Sequence, residues 1–500
     1  MVKGFDTERY LEVQSSEILK RVNDFDKLYL EFGGKICDDL HAARVLPGYD
    51  ANAKIKMLQM IKDDSEIVFC ISAKDIENGK MRADFGLNYE AVTLKSINDL
   101  RNFGLDVSSV VINRFSGEKK VLKFKRYLEN IGIRAYLQHE IEGYPADVNK
   151  IVSGEGYGKN PYVETKKQIV VVTGAGPGSG KMSFCLSQLY HDNLKGFKSG
   201  FSKFETFPIW NLEIDHPVNL AYEAATADIG DVNMIDPFHL QATGVTAVNY
   251  NRDIENFPIL KSILEKIGAD IYASPTEMGV SKTKLGIIDD DVVREASKQE
   301  IIRRYFRYKK ENLLGIVNKS VVEKVEKLMQ ELEINEDYRN VVKVARQAAM
   351  DAVEKKGKGN KGFCCGSAIQ IGEKIICGKN SMLLHSESSC IINALKYVSN
   401  IPDDIALLSE SLIKSIQELK EKIVKNSTPS LDVSEILIAL AISSSTNPTA
   451  KKCIENLPLL HNCEMHTTHL LTRGDENGLR DLGINLTTDA EFTPKIYFRS

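Results

Sequence analysis

Five hundred residues, 43% hydrophobic and 27% charged, suffice for two or three separate cores, so folding does not demand disulfide or metal staples. A formal charge of −4 and a pI near 6.2 give no electrostatic case for general nucleic-acid binding, and no uncharged apolar run reaches the roughly 18 residues of a membrane helix. Nine cysteines without a regular framework, behind a start MVKGFDTERY that lacks the apolar core of a secretory signal, point to reduced thiols and a cytoplasmic location.

The opening segment reads as a helix from Thr7 to Asp24. Four β-rich runs follow: KLYLEF from Lys27, EIVFCIS from Glu66, VSSVVINRF from Val107 and RAYLQHE from Arg134, each trailed by a helical or loop segment. The alternation predicts a parallel sheet covered by helices. A fifth run, Gln168 to Thr173, is apolar almost throughout, as a strand buried on both faces must be. It feeds straight into a glycine-rich loop.

Between Gly174 and Lys181 five of eight residues are Gly or Pro, and SFCLSQLYHD then shows helical spacing. Glycines let backbone N–H groups curl round an anion, and the start of the next helix adds its partial positive charge. Gly176, Gly178, Ser179, Gly180 and Ser183 are the candidate phosphate contacts, with Lys181 reaching the outer phosphates of a phosphorylated small molecule, ATP or another nucleotide with magnesium. The pattern G-x-x-x-x-G-K-[ST] is incomplete. Ala175 holds the place of the first glycine and Met182 that of the magnesium-binding hydroxyl, with Ser183 or Thr173 as substitutes. The competing reading is a glycine turn that merely packs strand on helix.

Downstream, Lys203 to His239 is dense in polar groups and holds the single tryptophan, Trp210. Lys203 suits a phosphate. Asp228 and Asp231 suit magnesium, which takes a few carboxylates together with phosphate oxygens and water; as helix caps they would be ordinary. A glycine loop followed by a lysine-bearing strand is similar, at fold level only, to the dethiobiotin-synthetase branch of P-loop enzymes.

From about Asp289 to Gly362 long charged runs with helical spacing form a helical connector that ends in KKGKGNKG. Next come a β-hairpin around Gly372, a helix, a helical stretch to about Lys425, a strand EILIALAIS from Glu435, a helix, a strand CEMHTTHLL and a helix GDENGLRDLGI. The chain thus divides into an α/β region with a Rossmann-like or P-loop-like parallel sheet (1–288), a connector (289–362) and a second α/β domain (363–500).

In that second domain HSESSCIINAL begins with His-x-Glu, the opening of the zinc-deaminase signature, in which His binds zinc and Glu shuttles protons. The hairpin before it and the apolar helix after it resemble the cytidine deaminase fold, with His385 as ligand and Glu387 as acid/base. The expected P-C-x-x-C is absent. The segment taken as the corresponding strand, EILIALAISSSTNPTAKKC, offers only Cys453. Cys463 and His466 have a spacing that zinc tolerates, but strand alternation sets Cys463, Met465, Thr467 and His469 on one face and His466 on the other. Two readings stand: a zinc site of His385, Cys463 and His466, or a deaminase-like pocket that has lost its metal.

Taken together, the blocks FGGK, HAARVLPGYD, IEGYPADVN, GEGYGKNPYVET, GAGPGSGKMSFCLSQLYHD, KFETFPIWNL, HPVNLAYEAATAD, DVNMIDPFHL, VNYNRD and CEMHTTH resemble the bacterial family of unknown function eighteen-forty-six almost from end to end. The resemblance implies a nucleotide-binding-like α/β region, a helical segment and a deaminase-like subdomain. Some members have been labelled ATP-dependent peptidase. Neither a G-x-S-x-G elbow nor an H-E-x-x-H helix supports that here.

The expected function is binding of a nucleotide or phosphorylated ligand, with phosphoryl transfer or ATP-driven ligation through Lys181, Asp228 and Asp231. The alternatives are a metal-dependent deaminase or hydrolase using Glu387, and a nucleotide-binding sensor or assembly protein without turnover. A homo-oligomer is expected.

Overall fold

Six runs rich in β-branched and aromatic residues form one parallel sheet: β1 (Lys27–Phe32), β2 (Ser65–Ser72), β3 (Val107–Phe115), β4 (Arg134–His139), β5 (Ile169–Gly174) and β6 (Ser199–Phe204). Their order is β4-β3-β2-β5-β1-β6, with every neighbouring pair parallel. In this computed structural model residues 2–82, 87–269, 271–354, 359, 363–425 and 429–492 are described. Most of KKGKGNKG therefore lies outside the described residues.

Strand β5 is fifth of these six along the chain but central in the sheet, which accounts for its continuous apolar sequence, and β1 is buried along its whole length, its two charged residues Lys27 and Glu31 included. One face is covered by α1 (Lys181–Leu194) and α2 (Asn251–Ile267). Phe184, Cys185 and Leu189 of α1 and Phe257, Leu260 and Leu264 of α2 share a core with Tyr29, Val170 and Val172. The spacing of these positions gives each helix one apolar stripe, and each fully buried side chain of this size contributes about 1.5–3 kcal/mol. Tyr29 adds a polar tie, donating its hydroxyl to Asp192 Oδ2 at 2.8 Å.

The chain runs from β2 toward one edge of the sheet and from β5 toward the other. Right-handed crossovers then place the two connections on opposite faces, which opens a crevice at the carboxyl ends of β2 and β5, where ligands of open α/β sheets bind. The loop that follows β5 sits there.

The chain divides into two units, Met1–Ser297 and Lys298–Ser500. The charged runs expected as a connector form the helices Asp290–Leu313, Lys319–Glu331 and Asn340–Glu354. The second unit holds a four-stranded sheet of β7 (Gly366–Ile371), β8 (Lys374–Lys379), β9 (Glu464–Thr467) and β10 (Asn485–Thr488), in the order β8-β7-β9-β10. Strands β7 and β8 make the hairpin about Gly372; β9 is antiparallel to β7 and parallel to β10. Packed with it are α3 (Ser386–Val398), α4 (Val433–Ser443) and α5 (Arg473–Asp481).

Helix α4 corrects an expectation, because its sequence contains EILIALAIS, read above as a strand. Asp432 and Glu435 form a reciprocal capping box: the Asp432 side chain accepts from Glu435 N at 2.9 Å, and the Glu435 side chain accepts from Asp432 N at 2.9 Å. Val433, Ile436, Ala439 and Leu440 then point inward at helical spacing while Ile438 and Ile442 are exposed. The strand that follows α3 in the sheet is therefore β9. No helix among the described residues is long and apolar enough to cross a membrane.

Candidate functional site

Strand β5 ends at Gly174, in register with Cys70 of β2, and Ala175 N still donates to Cys70 O at 3.1 Å. The chain then turns through a loop in which Gly174, Gly176 and Gly180 leave no room for a Cβ. A Cβ on Gly174 would stand 2.4 Å from Ser179 Oγ, and one on Gly180 would stand 2.6 Å from Cβ of Asn113, at a φ of +84° that disfavours L side chains in any case. Asn113, near the end of β3, clamps the loop by donating Nδ2 to Ser179 O at 2.7 Å. Around this clamp Ser179 Oγ and Asn113 Oδ1 are buried with no hydrogen-bond partner. Gly180 is the N-cap of α1 and supplies no capping side chain, so the first-turn N–H groups of α1 lack the partner that Ser or Asp would give.

Lys181 is the first residue of α1, and its Nζ lies 3.7 Å from Glu31 Oε1 on β1, both side chains largely buried. Glu31 Oε2 is buried without a hydrogen-bond partner. Across the next strand pair Glu31 is in register with Lys203 of β6, whose Nζ lies 2.5 Å from Asp253 Oδ2 and 4.0 Å from Glu205 Oε1. Burial disfavours the Lys203 charge, but Asp253, Glu205 and Glu31 outweigh it and hold its pKa above the ordinary lysine value. Burial also raises the Glu205 pKa, against the pull of Lys203. Glu205 accepts the hydroxyl of Tyr250, and the Arg252 guanidinium lies 5.3 Å from the Tyr250 ring centre while pairing with Asp231 at 3.2 Å. A chain of alternating charge thus runs from Lys181 along the carboxyl ends of β1 and β6.

The expected residues fall into two groups. Gly176, Gly178, Ser179, Gly180 and Lys181 make up the loop and helix start, Ser183 lies half-buried in the first turn of α1, and Lys203 sits two strands away. Asp228 is exposed on the short turn Ala227–Ile229, and Asp231 is engaged with Arg252. The carboxylates beside the two lysines are instead Glu31, Glu205 and Asp253. Glu31 carried a readable signal, as the single acidic residue inside the buried run KLYLEF; Asn113 and Asp253 did not stand out from ordinary strand-end and helix-start residues.

In the second unit His385 is the N-cap of α3 and Glu387 lies in its first turn. His385 Nδ1 is 2.7 Å from Oδ2 of Asp475, in the first turn of α5. Burial disfavours the imidazolium, yet Asp475 more than reverses this and raises the His385 pKa; burial pushes the Asp475 pKa up, and His385 brings it below its ordinary value. Glu387 Oε1 accepts from Ser367 and Ser386 at 3.0 Å each and from Thr467, while His469 Nε2 stands 3.7 Å away. His466 points to the other face of β9, where Thr487 Oγ1 is 2.9 Å from its Nδ1 and the Phe306 ring 4.8 Å from its own. The Cys463 thiol donates to Leu459 O at 3.6 Å. The structure does not bring His385, Cys463 and His466 together. Among the described residues, the group it does assemble is His385, Glu387 and Asp475. Asp475 was hidden as one of several acidic residues in GDENGLRD.

Two family models match: "Domain of unknown function DUF1846, N-terminal" over residues 3–333 and "Domain of unknown function DUF1846, C-terminal" over residues 337–498. Among relatives, a UPF0371 protein of Clostridium botulinum strain Eklund 17B is 49% identical over 501 residues, and one of Clostridium tetani strain Massachusetts is 49% identical over 500 residues. In both cases 99% of each chain is covered.

Proposed function

We infer that this chain, which belongs to the DUF1846 family, binds a nucleotide or another phosphorylated small molecule at the loop 174–183 and uses it in phosphoryl transfer or ATP-driven ligation. The observation that carries the reading is the uncapped start of α1, reached through a turn whose Gly178 and Gly180 hold positive φ, with Lys181 as its first residue. Oriented N–H groups at a helix start, together with one ammonium, form an anion cradle in which the backbone approaches the phosphate closely. The placement after a central strand, at the crevice between β2 and β5, is that of a P-loop-like or Rossmann-like site. With Met182 where a hydroxyl would fix magnesium, Glu31 is the nearest candidate to hold the ion, since one of its oxygens faces Lys181 and the other has no donor. Magnesium would also offset the negative charge that Glu31 sets against a phosphate.

The test compares the intact protein with Lys181→Ala by calorimetry against Mg–ATP and pyrophosphate. A charge-assisted contact contributes about 1.5–3 kcal/mol, so affinity should fall roughly 10- to 150-fold with circular dichroism unchanged. Unchanged affinity sinks the reading. Phosphate release in the presence of candidate acceptors separates turnover from sensing without turnover. For the second unit, the hairpin followed by His-x-Glu at a helix start supports the deaminase-like reading of its fold.

A further inference from the structure

Away from the glycine loop, one imidazole and two carboxyl groups converge: a ring nitrogen of His385 and one oxygen each from Glu387 and Asp475 lie within 4.8 Å of one another. We propose that these three side chains bind one divalent cation of the zinc class, with a remaining coordination position for water or a substrate oxygen. The proposal does not depend on the phosphate-binding reading of the other unit.

Three features support a built site. The ligands come from two helix starts, α3 and α5, so backbone geometry rather than flexible arms sets their positions. Hydroxyls of Ser367, Ser386 and Thr467 converge on Glu387 Oε1 and orient the carboxylate, as outer groups around metal ligands do. Glu387 Oε2, by contrast, is enclosed in a fully buried residue and accepts no hydrogen bond. A buried carboxylate oxygen without a donor is costly, and a cation supplies what it lacks.

The donor set selects the ion. One imidazole nitrogen and two carboxylate oxygens suit borderline cations such as zinc, whereas calcium takes six to eight oxygens and magnesium keeps a shell of oxygens and water. Metal–ligand bonds of about 2.0–2.2 Å in a tetrahedral arrangement space ligand atoms about 3.4 Å apart. The His385–Asp475 contact of 2.7 Å would then open by about 0.7 Å. Two carboxylate ligands match the charge of one divalent ion among side chains that are almost fully buried.

Chelator-treated full-length protein is titrated with Co2+, followed by Zn2+. The expected result is one Co2+ per chain with d–d bands and no thiolate charge-transfer band, displaced by one Zn2+. Glu387→Gln should bind at least about tenfold more weakly with an unchanged circular dichroism spectrum, and Cys463→Ser should bind as the parent does. The absence of stoichiometric binding, a thiolate band, or full affinity in Glu387→Gln each overturns the assignment. If Glu387→Gln does not fold, paramagnetic shifts in the parent decide: Co2+ must move the His385 ring resonances, and an unmoved His385 overturns the proposal.

Discussion

The helices that begin at Lys181 and at Ser386 each start beside a cluster of polar groups, but the clusters are made differently. Before α1 the chain is almost all backbone: glycines at 174, 176, 178 and 180, no capping side chain, and one lysine that leans on Glu31. Before α3 the side chains do the work, with His385, Glu387 and Asp475 all buried and tied to Ser367, Thr467, Thr472 and the backbone of Val433. An open backbone cradle can lose a side chain and keep its shape. An interlocked buried cluster cannot.

The most severe break of that contrast is Asp475→Ala. It leaves the buried His385 without its ion partner and removes the acceptor for Val433 N, and truncating one partner of a buried pair costs about 3–5 kcal/mol. Hydrogen exchange should report lost protection across α3, α4 and α5, with the sheet of the first unit unaffected; retained protection would show the cluster to be as forgiving as the loop.

The second effect is on pH dependence, and two histidines of the second unit should show opposite signs. In metal-free protein the His385 pKa is raised above the ordinary 6.5, so its stabilisation is complete below 6.5 and is lost as pH rises through the folded value. Burial holds the His466 pKa below 6.5 despite Asp489, so its stabilisation is complete above 6.5 and is lost as pH falls through the folded value. Each contributes a slope of at most about 1.4 kcal/mol per pH unit. Histidine-selective NMR should place the two titrations on opposite sides of 6.5; titration on the same side would remove the distinction.

The smallest effect belongs to the loop. Ser179→Ala deletes a buried hydroxyl that has no partner, so stability should stay level or rise by about 1 kcal/mol, while pyrophosphate binding weakens. A clear loss of stability, measured by thermal unfolding, would mean that the loop too is held by its side chains.

Much of the first unit was legible because burial on both faces writes itself into sequence: QIVVVT and KLYLEF admit few other readings. Periodicity failed at EILIALAIS, where seven continuous apolar residues, Ile436 to Ile442, fit a strand as well as a buried helix. The deciding clue was local and outside the run, the Asp432–Glu435 capping box. For the sites, the loop and the His-x-Glu start were visible because they are contiguous. Glu31 beside Lys181 and Asp475 beside His385 were not, because strand order and helix packing bring those pairs together and neither leaves a short-range trace.

The position of β1 has a further consequence, in time rather than space. Its sheet neighbours are β5 and β6, and Leu28 pairs with Ile169, so the first strand to leave a ribosome waits 141 residues for its nearest partner. At about 5–20 residues per second that is roughly 7–28 s during which a nascent apolar strand is unpaired. Long-range parallel pairing is slow in any case. The sheet can close around β1 only after the chain has been made through the glycine loop as far as β6, so assembly of the cradle and closure of the sheet are late and coupled events.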